Sequence, residues 1–384
     1  MKNIPIVVLL LISLAAKAQV NGSVNTNGSS SNAITTAVPF LTVTPDARSG
    51  AMGDAGVAIS PDVNATYWNP SKLAFIESTT NVSLSYTPWL QKILPNSYIA
   101  YGSFASKLDD RNTFGASVRY FNLGTADLYD NNQNATGFAH PNEFSVDASL
   151  ARKFGEDFSL GLTLRYIYSD LTSGLIEEGQ TTSPGKALAV DVSLYYKSET
   201  QQFDKDALFA FGVNISNIGT KISYERYGQS YFLPTNLKIG VANTWYLDGD
   251  NTLTFALDLN KLLVPTPPIR DANGNIVKGK DDNISVPSGV FASFTDAPGG
   301  TSEELQEINI SPGLEYWYDN RFALRDGYFY ESPNNGNVQY FTLGFGLKYQ
   351  NLNFDFSYIS ANQQNSPLAN TLRFSLGYSF GNNK

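Results

Sequence analysis

Strict alternation of apolar and polar residues is the feature that most constrains this chain. It is clearest between Asp157 and Ser169. One face of this segment carries Phe158, Leu160, Leu162, Leu164, Tyr166 and Tyr168, and the other carries Ser159, Gly161, Thr163, Arg165 and Ser169, with Ile167 as the exception. A period of two over this length predicts a long β-strand with one apolar and one polar face.

The same pattern recurs from residue 81 to the end of the chain. It predicts fourteen strands, near residues 81–87, 97–107, 112–123, 143–154, 157–169, 187–198, 207–217, 236–246, 251–261, 306–318, 320–330, 337–349, 351–360 and 369–381. Bacterial outer-membrane barrels have an even number of antiparallel strands of this kind. We therefore predict an all-β fold, a transmembrane antiparallel β-barrel of 14 strands.

The predicted connections differ in length in a regular way. The long ones, 124–142, 170–186, 218–235 and 262–305, all follow odd-numbered strands. Outer-membrane barrels have short periplasmic turns and long extracellular loops. The pattern predicts a protein of the cell outer membrane, with extracellular long loops and an N-terminus in the periplasm or inside the barrel. The connection 199–206 after the sixth strand is too long for a tight turn and does not fit.

The N-terminal region has features of export. Lys2, an apolar run from Ile4 to Ala16 and the small-x-small site Ala16-Lys17-Ala18 predict a secretory signal peptide. The chain then divides into four expected parts: 1–18 as signal peptide, 19–36 as a flexible tether rich in Asn, Ser and Gly, 37–80 as a hatch segment in the lumen, and 81–384 as the barrel.

The hatch segment is predicted from the stretch Asp46–Phe75, which suits neither a helix nor a strand. Its small residues permit close approach to other backbone, but its own peptide groups need an enclosing wall to supply hydrogen-bond partners. The hatch motif comprises Gly50, Met52, Gly53, Gly56, Asp62, Asn69 and Pro70.

Charged residues of the predicted strands consistently share the polar face. These are Arg119, Asp147, Arg165, Asp191, Asp258, Asp355 and Arg373. Because a charge on the lipid face costs about 2–4 kcal/mol at midplane, this face is expected to be the lumen. Two interpretations follow, a polar conduit or an ion-paired interior packed around residues 37–80, and we favour the second.

Catalysis finds little support in the sequence. The single histidine, His140, falls in a predicted outer loop, and the chain has no cysteine. No zinc-protease motif, paired-histidine metal site or phosphate-binding loop is present, so we expect no enzyme, no cofactor and no metal site. The net charge of −9 argues against nucleic acid as a partner.

Two predicted outer loops carry apolar residues. Their candidates for contact with partners are Tyr224, Tyr227, Tyr231, Phe232, Leu263, Val264, Phe291 and Phe294. Exposed apolar patches often mark docking sites, but the loops could equally fold onto one another and cap the barrel.

Signal peptide, hatch and fourteen strands together resemble the FadL-like outer-membrane proteins of long-chain fatty-acid transport. The stretch ARSGAMGDAGVAISPDVNATYWNPSKLAF (residues 47–75) is similar to the opening of the Bacteroidetes PorV family of type IX secretion, an opening shared with PorQ proteins. Of the family's sites, only the hatch can be carried over to particular residues.

The resemblance implies a non-enzymatic role in protein secretion. Such a protein collects cargo with a C-terminal secretion domain at the translocon barrel and delivers it to the cell-surface sortase and attachment complex, while its wall contacts outer-membrane lipid. The alternative implied by the wider group is transport of long-chain fatty acids or other hydrophobic small molecules.

Overall fold

The computed structural model of this protein describes residues 32–129, 135–171, 176–177, 180–181, 183–224, 229–362 and 366–381. The predicted signal peptide, and the predicted tether up to residue 31, lie outside the described residues.

Fourteen antiparallel strands form a closed barrel, as predicted. They are β1 (Thr80–Pro88), β2 (Tyr98–Lys107), β3 (Asn112–Asn122), β4 (Asn142–Lys153), β5 (Phe158–Asp170), β6 (Gly185–Gln202), β7 (Lys205–Gly219), β8 (Asn236–Tyr246), β9 (Thr252–Leu262), β10 (Asn309–Tyr318), β11 (Phe322–Tyr330), β12 (Gln339–Tyr349), β13 (Leu352–Ala361) and β14 (Leu372–Phe380). Each strand pairs with its sequence neighbours, and β14 closes the ring on β1 with Thr80 opposite Phe380.

The two faces of the wall follow the alternation of the sequence. In β5, Leu162 and Leu164 are 50% and 60% exposed, whereas Thr163 and Arg165 are buried. The apolar side chains therefore cover the outside of the cylinder, where lipid replaces water, and the polar ones point inward. The charged residues predicted for the lumen all belong to the inward face, namely Arg119, Asp147, Arg165, Asp191, Asp258, Asp355 and Arg373.

The connections separate the barrel into two ends. One end, here called the turn end, has short connections at 108–111, 154–157, 203–204, 247–251, 319–321 and 350–351. The opposite loop end has the longer connections 89–97, 123–141, 171–184, 220–235, 263–308, 331–338 and 362–371. The connection after β6, predicted to be long, is a two-residue turn, because the paired strands extend to Gln202 and Lys205. Phe203 and Asp204 have φ of 54° and 56°, as a type I′ hairpin turn requires.

The described part of the segment before β1, residues 32–79, contains four short helical turns. A 3₁₀ turn (Pro39–Thr42) is followed by α1 (Ala47–Gly50) and α2 (Ala65–Trp68), and a second 3₁₀ turn (Pro70–Phe75) precedes the wall. Asp46 begins α1 by accepting a hydrogen bond from the backbone N–H of Ser49 at 2.9 Å. Almost every residue from 44 to 74 is buried, so this segment forms a core inside the barrel.

The longest loop, 263–308, has its own folded structure. It contains a small hairpin (Ile269–Arg270 with Ile276–Lys278) and the helices α3 (Val286–Ala292) and α4 (Thr301–Gln306). At its base the Lys261 ammonium forms buried salt bridges with the carboxylates of Glu304, at 3.0 Å, and of Glu307. Smaller hairpins lie at Ala126–Tyr129 with Ala135–Ala139 and at Ile176–Glu177 with Gln180–Thr181.

A helix both long enough and apolar enough to cross a membrane does not occur among the residues described.

Candidate functional site

The hatch segment crosses the lumen from the loop end to the turn end. Near its beginning, the Ala37 N–H donates to the carbonyl of Phe232, in the loop after β7, at 3.0 Å. Near its end, the Ser159 hydroxyl, at the turn end of β5, donates to the carbonyl of Ser71 at 2.8 Å. The chain therefore enters the barrel among the long loops and leaves it at the short turns, where β1 begins.

Glycines on both the hatch and the wall allow the two backbones to approach each other closely. Gly53 has φ of +68°, and a Cβ added there would lie 2.5 Å from the backbone N and O of Tyr328 in β11. On the wall side, a Cβ at Gly313 would lie 2.4 Å from the carbonyl oxygen of Met52, and one at Gly327 only 2.1 Å from the Gly53 nitrogen. Glycine inside a strand often marks such close backbone approach, and Gly313 and Gly327 carry this signal in the sequence, although the predicted hatch motif does not include them.

A second group of contacts holds the middle of the hatch. The backbone N–H groups of Gly56 and Val57 both donate to one carboxylate oxygen of Asp258, at 2.7 and 2.9 Å. A Cβ at Gly56 would lie 2.1 Å from the ring of Trp68. The Asn69 amide donates to the Val57 carbonyl at 3.1 Å and to a backbone carbonyl of β6 at 2.9 Å. Asn69 therefore joins two parts of the hatch to the wall.

An ion-pair network links the hatch to three strands. The Arg48 guanidinium binds the carboxylates of Asp62, at 2.9 Å, and of Glu315 in β10, at 2.8 Å. Glu315 also accepts from Arg325 in β11 at 2.7 Å, and Arg325 reaches Asp355 in β13 at 2.7 Å. Buried charges are tolerated when they are paired in this way, and removal of one partner is strongly destabilising.

A second buried ion-pair group in the lumen is formed by the inward side chains of three neighbouring strands. The Arg165 guanidinium binds Asp147 in β4 at 2.7 Å and Asp191 in β6 at 2.9 Å. Arg119 instead donates to the hatch backbone, at the carbonyls of Phe40 (3.1 Å) and Leu41 (2.9 Å). These contacts are those of a packed, ion-paired interior around the hatch, the second of the two interpretations given above.

One pocket between the hatch and the loop end is small, and its lining mixes charged side chains with apolar ones such as Trp68, Trp89 and Phe329. This pocket of about 220 Å³ is lined by charged groups including Asp54, Lys238, Asp258, Glu331 and Arg373. Small-molecule pockets usually measure about 300–1,000 Å³ and are mostly apolar. The pocket is therefore poorly matched to a long apolar substrate.

Glu331, just beyond β11 at the loop end, makes the stability of this region depend on pH. Burial raises the pKa of its carboxyl from 4.5 to about 7. The folded state thus favours the protonated form of Glu331, so this contribution to stability is fully present below the unfolded pKa and falls as the pH rises toward 7.

We expect Glu331→Gln to remove up to about 3 kcal/mol of the pH dependence of the free energy of unfolding between pH 5 and 8. Urea midpoints across this range measure the effect, with Glu156→Gln in an exposed turn as the control; an equal pH dependence in the wild-type protein and Glu331→Gln would contradict it.

The candidate contact residues in the outer loops differ widely in exposure. Phe291, Phe294 and Tyr231 are 79%, 47% and 46% exposed, whereas Leu263 and Val264 are each only 2% exposed. Leu263 and Val264 pack within the folded loop. The exposed candidates thus lie mainly around α3.

The other loop candidates face the barrel mouth. The Tyr224 hydroxyl lies 2.9 Å from the Ser169 hydroxyl, and the half-buried Phe232 ring has the Lys221 ammonium 4.1 Å from its centroid. Tyr227 lies outside the described residues. His140 is exposed at the loop end, 3.3 Å from the Thr125 hydroxyl. Within the described ranges, no group of three or more His, Cys, Asp or Glu side chains could hold a metal ion.

A closed barrel with an apolar outer surface and a plugged lumen defines a class of protein, the plugged outer-membrane barrels. The Pseudomonas putida toluene transporter TodX has this fold, with a TM-score of 0.51 at 10% identity over 88% of this chain and 98% of that one. The Ralstonia pickettii toluene transporter TbuX gives a TM-score of 0.46 at 12% identity, covering 87% and 97% of the two chains. A Pseudomonas aeruginosa FadL homologue gives 0.41 at 11% identity, covering 88% and 99%.

Comparison of the sequence with models of protein families identifies the family to which this outer-membrane barrel belongs. The family described as type IX secretion system protein PorV matches residues 26–269, more than half of the chain. The chain belongs to the PorV family and is a protein of the outer membrane. Among curated proteins, no significant match is found.

Proposed function

We propose that this protein binds secreted cargo, through its C-terminal secretion domain, at the translocon barrel and transfers it to the cell-surface attachment complex with its sortase. Membership of the PorV family carries this proposal. The family and the fold are those of secretion and transport barrels rather than enzymes.

The plugged lumen supports docking at the surface rather than passage through the barrel. The hatch is hydrogen-bonded to the wall from Phe40 to Ser71, and the Arg48 network links it to β10, β11 and β13. These contacts fill the described interior with the hatch rather than leaving it for a passing protein chain. The loop end is therefore the candidate surface for docking of cargo. There, Phe291 of α3 and the adjacent Phe294 are exposed.

Transport of fatty acids or other hydrophobic molecules is the alternative. It would require an apolar lumen pocket, whereas the described lumen pocket has Lys238, Asp258 and Arg373 in its lining. Growth of a deletion strain on hydrophobic carbon sources tests this directly, and defective uptake with normal secretion would favour the alternative.

Deletion of the gene also tests the proposal. Cargo with the secretion domain is expected to remain uncleaved inside the cell or to be released without attachment. Purification of the tagged full-length protein in mild detergent should recover such cargo or the translocon. Normal surface attachment of cargo in the deletion strain would refute the proposed function.

The exposed phenylalanines of the long loop provide a sharper test. We expect the double substitution Phe291→Ser, Phe294→Ser to reduce cargo recovery about tenfold or more, because truncation of the few residues that anchor an interface costs about 2 kcal/mol or more. The matched control is Phe203→Ser, since Phe203 is 86% exposed but lies in a short turn at the opposite end. Equal recovery from all three proteins would exclude α3 as the contact surface.

A further inference from the structure

An apolar cleft of about 790 Å³ lies against the outside of the wall formed by β4 to β7. Leu164 of β5 and Leu188 of β6 contribute to its floor, and Val286 and Pro287 of α3 cover it. Its volume falls within the range of about 300–1,000 Å³ that is usual for ligand pockets. Unlike the lumen pocket, this cleft has no connection with the hatch.

The cleft is continuous with the surface that the barrel presents to the membrane. Leu164 and Leu188 are 60% and 65% exposed on the outward face. Tyr166 also lines the cleft, and its ring lies 6.2 Å from that of Phe144 near the loop end. Aromatic side chains gather at the boundary between headgroups and acyl chains. The cleft thus opens into the acyl region of the leaflet next to the long loops.

Local backbone geometry accompanies the recess. The register between β6 and β7 shifts between Val190 and Val192, beside the lining residues Ile218 and Gly219. A bulge of this kind bends the strand and increases its twist. The irregular part of the wall therefore borders the cleft.

A lysine side chain lies close to the level at which a lipid headgroup is expected. Lys186 is exposed on the outward face of β6, two residues nearer the loop end than Leu188. At about 3.4 Å per residue, its backbone lies roughly 7 Å farther along the tilted strand toward the membrane surface than that of Leu188. A lysine side chain at this level can reach the interface and meet a phosphate.

We propose that the cleft binds one acyl chain of a phosphate-bearing membrane lipid, with Lys186 at the headgroup. The bound chain fills the space between the wall and α3 and so supports the helix that carries Phe291. This lipid site does not depend on the proposed cargo function.

The test measures lipid bound to the full-length protein. The protein is extracted from outer membranes in mild detergent, and native mass spectrometry counts the lipid that stays with it. Leu164→Trp fills the cleft and is expected to lower lipid occupancy about tenfold, a loss of about 1.4 kcal/mol in affinity. The matched control is Leu343→Trp, because Leu343 is 58% exposed on the outward face of β12 and does not line the cleft. Heat-modifiable migration shows that each variant is folded.

A second variant tests the headgroup contact. Lys186→Gln is expected to abolish any preference for phosphatidylglycerol over the zwitterionic phosphatidylcholine when the barrel is reconstituted with equal amounts of both. Retention of lipid by the wild-type and Leu343→Trp proteins, and its loss from Leu164→Trp, would support the site. Equal occupancy in the two tryptophan variants, a cleft that holds detergent only, or recovery of free fatty acid instead of membrane lipid would overturn it.

Discussion

Gly53→Val is expected to lower the free energy of unfolding by about 2–5 kcal/mol, the combined effect of a β-branched residue at positive φ and of overpacking. The new side chain would meet the backbone of Tyr328, 2.5 Å from the ideal Cβ position. Gly56→Val should behave similarly, because its Cβ would lie 2.1 Å from the ring of Trp68. Urea unfolding followed by heat-modifiable migration measures both effects.

The matched control for these substitutions is Gly249→Val. Gly249 lies in a short turn, and a Cβ there would have no atom within 4 Å. The free energy of unfolding of Gly249→Val should lie within about 0.5 kcal/mol of the wild-type value, as is usual for substitutions at exposed positions. Wild-type stability of Gly53→Val would show that the hatch does not pack as described.

Glu315→Ala is expected to destabilise the protein by about 3–5 kcal/mol, because it leaves Arg48 and Arg325 buried without their shared carboxylate. Loss of this contact frees one side of the hatch from β10. We therefore also expect ion conductance through the variant in planar bilayers, where the wild-type barrel should be closed.

An exposed ion pair serves as the control for Glu315→Ala. Arg321 and Asp319 lie 3.6 Å apart in a turn, with side chains 69% and 48% exposed. Arg321→Ala should cost no more than about 1 kcal/mol. If Glu315→Ala matched this control in both unfolding and conductance, the network would not be what holds the hatch.

The barrel could be predicted because lipid imposes one rule on every strand. The segment predicted as 157–169 forms β5 from Phe158 to Asp170. The alternation of apolar and polar side chains says little about where a turn begins. The sixth strand, predicted to end at Ser198, therefore extends to Gln202 in the structure. Phe203 in particular does not suggest a tight turn, yet it adopts the positive φ that the turn requires.

The interior could be predicted only in outline. Glu315 is not among the charges predicted for the lumen, and even its inward position would not show that the partner is Arg48, which is 267 positions away. Such pairing depends on where the hatch lies along the bore, and local patterns do not encode that position. The wall glycines Gly313 and Gly327 were in principle recognisable, since glycine inside a strand weakens it unless close backbone approach requires it.

The position of the hatch has a consequence for biogenesis. The hatch precedes every strand in the chain, yet its bulky Arg48 and Trp68 side chains are enclosed by the completed ring, which is sealed by hydrogen bonds between β1 and β14. Threading the hatch through a finished cylinder would require these large side chains to pass the inward-facing side chains of the wall. We therefore expect the first and last strands to join around an occupant that is already in place.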